Sequence, residues 1–154
     1  MPSITEAEPK TFEEALEVIQ TAPTLRKIKS YLDNTALSAD MKALLYDVAK
    51  VTVKIGERVV AIGRYVLSLA SALMEKYPSM LLAAAVGLVL VTLTGGVLGS
   101  VPVFGAIAVY LSKIAALIGV AKGYFEDLRQ NVAKSEMDRV AAQFAALNMG
   151  VVQQ

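Results

Sequence analysis

The 154-residue chain has no cysteine and no histidine, and each absence removes a class of chemistry. Without cysteine there is no disulfide framework, no thiolate nucleophile and no thiolate metal site. Without histidine the commonest metal ligand and the commonest acid–base group are both missing. Serine, threonine, lysine and carboxylate side chains remain, but no histidine or cysteine is there to complete an ordinary nucleophile–base pair. We therefore expect no enzyme, no small-molecule substrate, no metal and no cofactor. Tryptophan is absent, and aromatic residues make up only 6% of the chain. Charge is scarce too: fifteen basic and fourteen acidic residues, 19% of the chain, leave a net charge of +1. Such a balance offers no field for gripping a nucleic-acid backbone, so nucleic acid is not an expected partner. The first residues, Met1-Pro-Ser-Ile-Thr-Glu-Ala-Glu-Pro9, are acidic and lack an apolar run, so a cleaved signal peptide is not expected. An internal segment would have to direct any entry into a membrane.

What is abundant is hydrophobic side chain, 55% of the residues, with a mean hydropathy of +0.53. Ordinary domains hold about 45–50% apolar and about 25% charged residues, so the surplus has to be hidden in lipid or in a partner. Its source is local. No charged residue occurs from Pro78 to Ser112, and from Pro78 to Ala121 the only one is Lys113. That run exceeds the roughly 20 residues needed to cross a bilayer core. Ser79–Thr94 reads as a first apolar helix and Phe104–Ala121 as a second. Between them Gly95, Gly96, Gly99, Pro102 and Gly105 mark a bend. Residues 78–121 thus read as a hydrophobic helical hairpin, each arm close to the minimum length for spanning. The glycine cluster lacks the Gly-Lys-Ser/Thr of a phosphate loop. Gly95 and Gly99 have small-xxx-small spacing, which fits helix association as well as a plain turn.

Around the hairpin the pattern is amphipathic and helical. Residues 1–10, with two prolines and alternating acids, read as a flexible arm. Residues 11–37 hold two short helices, the first opened by a Thr11–Glu14 capping box and the second running from Thr24 to Asp33 after Pro23. Residues 38–77 contain no proline and predict one long amphipathic helix, roughly 60 Å at 1.5 Å per residue. Met41, Val48, Ile55, Ile62 and Leu69 form one heptad row, and Leu45, Thr52, Val59, Val66 and Leu73 form the other. Beside them Ala49, Gly56, Gly63 and Ala70 recur every seven residues, a row of small side chains that lets another backbone approach. Residues 122–154 predict a second amphipathic helix over 124–148 and a short tail. Its apolar side carries Phe125, Leu128, Val132, Met137, Val140, Phe144 and Leu147.

Two cations stand out. Lys113 lies near the middle of the second apolar arm, where a charge usually faces water, a partner or a bundle interior. It reads either as a pore-lining or bundle-paired group, or as a side chain that snorkels to the surface. Arg64 poses the same question in the long helix, with a solvated stripe beside Glu57 as its plain explanation. Tyr77, Phe104, Tyr110, Tyr124 and Phe125 near the arm ends resemble a sparse interfacial belt. Basic residues flank the hairpin on both sides, Arg58, Arg64 and Lys76 before it and Lys122, Arg129 and Lys134 after it. Both ends are therefore expected on one side of a bilayer.

The expected fold is all-α: two short helices, a long amphipathic helix, a central hydrophobic hairpin and a closing amphipathic helix. An apolar hairpin wrapped by amphipathic helices resembles the arrangement in pore-forming colicin domains and Bcl-2-type proteins, a likeness of architecture and not of motif. The first functional expectation is a membrane protein that self-assembles through the long helix and inserts its hairpin, with pore formation as the extension of that reading. Its partners are then the lipid bilayer and further copies of itself. The alternative is a structural protein of an oligomeric shell or scaffold, such as a virion layer, in which subunits bury the apolar segment.

Overall fold

Three hydroxyl side chains set the starts of the first three helices. Thr11 Oγ1 accepts the Glu14 N–H at 3.1 Å ahead of α1 (Phe12–Gln20), and Thr24 Oγ1 accepts the Lys27 N–H at 3.3 Å ahead of α2 (Leu25–Asp33). Ser38 Oγ accepts the Met41 N–H at 3.1 Å ahead of α3 (Ala39–Ala49). Each satisfies a donor that the helix itself leaves free. The computed structural model describes residues 11–55, 57–94, 105–121 and 123–152. Among them the fold is all-α, with eight helices and one small two-stranded sheet.

That sheet corrects the single long helix expected over 38–77. α3 ends at Ala49, strand β1 (Val53–Ile55) pairs antiparallel with β2 (Arg58–Val60), and α4 (Ile62–Lys76) begins two residues later. The register, Val53 opposite Val60 and Ile55 opposite Arg58, leaves only residues 56 and 57 between the strands. The cause is local chemistry. Val51, Thr52, Val53, Ile55, Val59 and Val60 are β-branched, and such side chains favour a pleated surface over a helix. Val53 and Ile55 turn inward while Lys54 between them faces water, a period of two. A seven-residue spacing of apolar positions does not distinguish a continuous helix from two helices joined by a hairpin.

The heptad rows nevertheless find the core. Met41, Leu45, Val48, Ile55, Ile62, Val66, Leu69 and Leu73 are all buried, whereas Thr52 is exposed and Val59 is 70% exposed at the hairpin. Small residues serve the same packing. The Gly63 N–H donates to the Val51 carbonyl at 2.9 Å, and a Cβ on Gly63 would overlap the Val48 carbonyl oxygen. Ala49 and Ala70 are buried in the same core, so the row lets elements of one chain approach each other. Gly56, Gly95 and Gly99 lie outside the described residues.

The first apolar arm is α5 (Leu82–Thr94), preceded by a turn in which the Met80 N–H donates to the Tyr77 carbonyl at 2.9 Å. Every residue from Leu82 to Leu93 is buried. α4, α6 (Gly105–Ile118), α7 (Gly123–Asn131) and α8 (Lys134–Val152) all pack against it. α5 is thus the central helix of the chain's own core. α6 stops at Gly119, whose φ of 75° suits only glycine readily. There the Val120 N–H donates to the Ala115 carbonyl at 3.0 Å and the Gly119 N–H to Ala116 at 3.3 Å, a paired C-terminal cap.

The closing amphipathic helix expected over 124–148 is also two elements. α7 and α8 are separated by Val132-Ala133, and α8 continues past Asn148 to Val152. The apolar pattern still marks the inward side: Phe125, Met137, Val140 and Phe144 are buried and Leu128 is half-buried, but Val132 at the break is 45% exposed. The side chain of Leu147 lies outside the described residues.

Candidate functional site

The candidate site is the α5–α6 pair with the elements that cover it. α5 reads LAAAVGLVLVTLT, and its two hydroxyls are absorbed by its own backbone. Thr92 Oγ1 donates to the Leu88 carbonyl at 2.9 Å and Thr94 Oγ1 to Leu90 at 2.8 Å. The helix therefore presents no unpaired hydroxyl to an apolar environment, whether protein or lipid. A fully buried Leu or Val side chain contributes on the order of 1.5–3 kcal/mol, which makes α5 a principal source of the fold's stability.

α7 is keyed onto α5 by a glycine. Phe125 is fully buried, and its ring occupies the space beside Gly87 where a side chain would otherwise stand. Tyr124 stacks edge-on against Phe125 with centroids 5.4 Å apart. On the α8 side, the Tyr65 and Phe144 rings lie 5.7 Å apart, and burial pushes the Tyr65 hydroxyl up to about 12.

α6 is asymmetric in a way α5 is not. Ile107, Ile114 and Ala115 face inward and are buried, but Val109 and Leu117 are 52% and 48% exposed. Lys113 stands between them at four-residue spacing, so Val109, Lys113 and Leu117 form one outward stripe. Ala108 and Ala116 are exposed beside it. Lys113 itself is exposed, with Nζ 5.4 Å from the Tyr110 ring centroid. Arg64 has a different role: Nη1 donates to the Pro23 carbonyl at 3.2 Å and ties α4 to the α1–α2 connection. The structure gives the two cations separate elements and separate partners.

Sequence reasoning missed a third polar site. Glu136, in the first turn of α8, is only 6% exposed and accepts an ion pair from Lys76 in the last turn of α4. Beside them the Tyr77 hydroxyl donates to the Val132 carbonyl at 3.3 Å. Burial by itself would raise the Glu136 carboxyl. The Lys76 hydrogen bond and charge, with smaller help from the Glu136 backbone N–H and the nearby Tyr77 hydroxyl, outweigh that and hold it below the ordinary value. Lys76 is raised in turn, chiefly by its hydrogen bond to Glu136. The signal available in sequence was an acid in the first turn of a helix, which marks a helix start but not a distant partner.

Next to this cluster lies a groove of about 340 Å³ lined by Tyr77, Met80, Leu81, Tyr124, Leu128 and Val132 among others. Leu81 is 67% exposed there. Among the described residues no group of three or more carboxylate, histidine or cysteine side chains could hold a metal ion. Nor is any single described helix long and apolar enough to cross a membrane. α6 from Ile107 to Ile118 passes that test only jointly with α7, and the pair is bent by 93°. α5, at 13 residues, is about 20 Å long against a hydrocarbon core of about 30 Å, shorter than the spanning arm expected from sequence. No family model, curated protein or solved structure matches this chain.

Proposed function

We propose that this protein is a non-enzymatic, membrane-associating helical protein that holds an apolar hairpin covered in its folded state and delivers it to a bilayer. The observation that carries the reading is the contrast between the two arms. α5 is covered on all sides by its own chain, whereas α6 keeps an outward stripe of Val109, Leu117 and exposed alanines. An exposed stripe of aliphatic side chains on a folded surface marks a contact with another phase or another molecule. Lys113 in the middle of the stripe suits a headgroup layer, where the ammonium meets phosphate while Val109 and Leu117 enter the acyl boundary. First contact is then in the plane of the interface, through α6. Full entry of the hairpin follows only when α4, α7 and α8 separate from α5.

The test is flotation with vesicles of phosphatidylcholine and phosphatidylglycerol. Val109→Glu with Leu117→Glu removes two aliphatic contacts, each worth about 1.5–3 kcal/mol when buried, and is expected to weaken binding at least about tenfold. Val59→Glu, at a still more exposed valine on the β-hairpin, is the control and is expected to leave binding unchanged. Equal binding by all three proteins would sink the proposal. Release of trapped dye by the wild type tests the pore extension separately.

The same stripe supports a second reading, a structural layer in which a neighbouring copy covers α6. There the paired substitutions lower the mass of regular particles in sedimentation, and vesicles bind neither protein. The heptad rows and the small-residue row are less suited to joining subunits than their sequence suggests, because α3, α4 and α5 already use them.

A further inference from the structure

Glu136 is the one described carboxylate buried in the fold, and its contacts reach two other places in the chain. Lys76 pairs with it from the end of α4. Tyr77, the next residue, donates its hydroxyl to the Val132 carbonyl in the α7–α8 connection, close to Glu136. Three residues thus join the last turn of α4 to the break between α7 and α8. All three helices pack on α5. The junction borders the groove where Leu81, Tyr124 and Val132 are exposed, while Ala133 and Met137 on either side of it are buried in the core.

We propose that Lys76, Tyr77 and Glu136 form an acid-sensitive clamp, which holds α7 and α8 closed over α5 and lets them part when the Glu136 carboxylate takes up a proton. Its consequence, release of the hairpin to lipid, rests on the membrane reading above. The step is a proton transfer from water to a Glu136 oxygen. The carboxylate loses its charge, Lys76 loses its ion-pair partner, and the Lys76 ammonium turns outward to solvent. Among the described residues Lys76 pairs with no carboxylate other than Glu136. Arg139, also on α8, opposes the Lys76 charge, and the Lys134–Asp138–Arg129 cluster lies about 200° round α8 from Glu136. The direction of the pH effect follows from the lowered Glu136 value. The clamp contributes its full stability above the ordinary glutamate range and loses it as pH falls through the lower value of the folded state. Protons concentrate at an anionic bilayer surface, so opening there begins at a higher bulk pH than in free solution.

The test follows amide hydrogen exchange by mass spectrometry in the full chain across pH, without lipid, in parallel with flotation on phosphatidylcholine–phosphatidylglycerol vesicles. In the wild type, exchange in α7 and α8 should rise in a step below the ordinary glutamate range while α2 and α3, which do not pack on them, stay protected. Glu136→Gln should raise α7–α8 exchange about tenfold or more at neutral pH and abolish the step, because a buried charged hydrogen bond is lost. Lys76→Met keeps the carboxyl but removes its partner. Burial then dominates, so the closed form favours the protonated carboxyl and the step should reverse, with α7–α8 exchange high at neutral pH and falling as the pH falls. An unchanged step in Lys76→Met, or wild-type protection of α7–α8 in Glu136→Gln, overturns the clamp. So does a rise in exchange that is uniform over all helices, since that is global unfolding. The expected exchange pattern without vesicle binding at any pH would overturn the membrane reading and leave the clamp standing.

Discussion

Replacing Gly87 with alanine adds one methyl group to the middle of α5, at the point where the Phe125 ring of α7 lies against the backbone. An ideal Cβ there falls 2.7 Å from Phe125 Cζ and nearer still to Cε1. Carbon atoms in contact prefer about 3.5–4.0 Å, so the ring must retreat by more than about 1 Å. It has little room to do so, being fully buried with Tyr124 edge-on against it. Overpacking of this kind costs about 1–3 kcal/mol, whereas alanine in place of glycine inside a helix returns roughly 1 kcal/mol of propensity. If the ring is driven out altogether the cost approaches the roughly 3–5 kcal/mol of deleting a buried phenylalanine. The net expectation is a loss of about 1–3 kcal/mol, equivalent to a fall in Tm of roughly 2–4 °C per kcal/mol for a chain of this length. Urea unfolding followed by far-UV circular dichroism measures it. Phe125→Leu supplies the internal check: against the smaller side chain the added methyl has space, so Gly87→Ala should cost less there, a coupling between contacting residues. A Gly87→Ala protein as stable as the wild type, with no coupling to position 125, would refute the claim that α7 is keyed onto α5 at this glycine.

Gly63→Ala should be worse than Gly87→Ala, because its methyl meets the Val48 carbonyl and the Ala49 backbone, which cannot swing aside as a ring can. A loss at the upper end of about 1–3 kcal/mol, or beyond it, is expected in the same urea titration, and independence of protein concentration would place the contact within one chain. Lys113→Glu should leave the urea midpoint within about 0.5 kcal/mol of the wild type, since the side chain is exposed, yet weaken flotation with anionic vesicles. Equal flotation on anionic and neutral vesicles by both proteins would remove Lys113 from the lipid contact.

How much of this was legible in the sequence depended on the range of the forces involved. The helix starts at Thr11, Thr24 and Ser38 depend on hydroxyls reaching amides three residues on, and residues that near in sequence show their relation directly. The apolar arms were visible for the same reason. The break between α3 and α4 was hidden by a coincidence of periods, since Val48, Ile55 and Ile62 lie seven apart whether the chain between them is helical or doubles back. The β-branched run from Val51 to Val60 was the evidence for the hairpin. The candidate site divides likewise: Lys113 on its apolar arm is a local fact, but Lys76 with Glu136 depends on tertiary packing that no spacing rule encodes. Whether α5 is covered by lipid, by a second subunit or by its own chain could not be read from composition, because each asks for the same side chains.

That equivalence bears on how the hairpin could leave the fold. Hydrocarbon tails are about as apolar as leucine, so moving α5 from the protein core into a bilayer changes the surroundings of its side chains little. The gain on transfer must come from α6, whose Val109, Leu117 and neighbouring alanines are exposed in the folded chain. The cost falls on the helices left behind. Leu73, Phe125, Met137, Val140 and Phe144 are buried in the core that α5 centres, and its departure uncovers them unless they too reach the interface. A transfer so nearly balanced is decided by modest local interactions, and the ion pair between Lys76 and Glu136 has the place in the fold to be one of them.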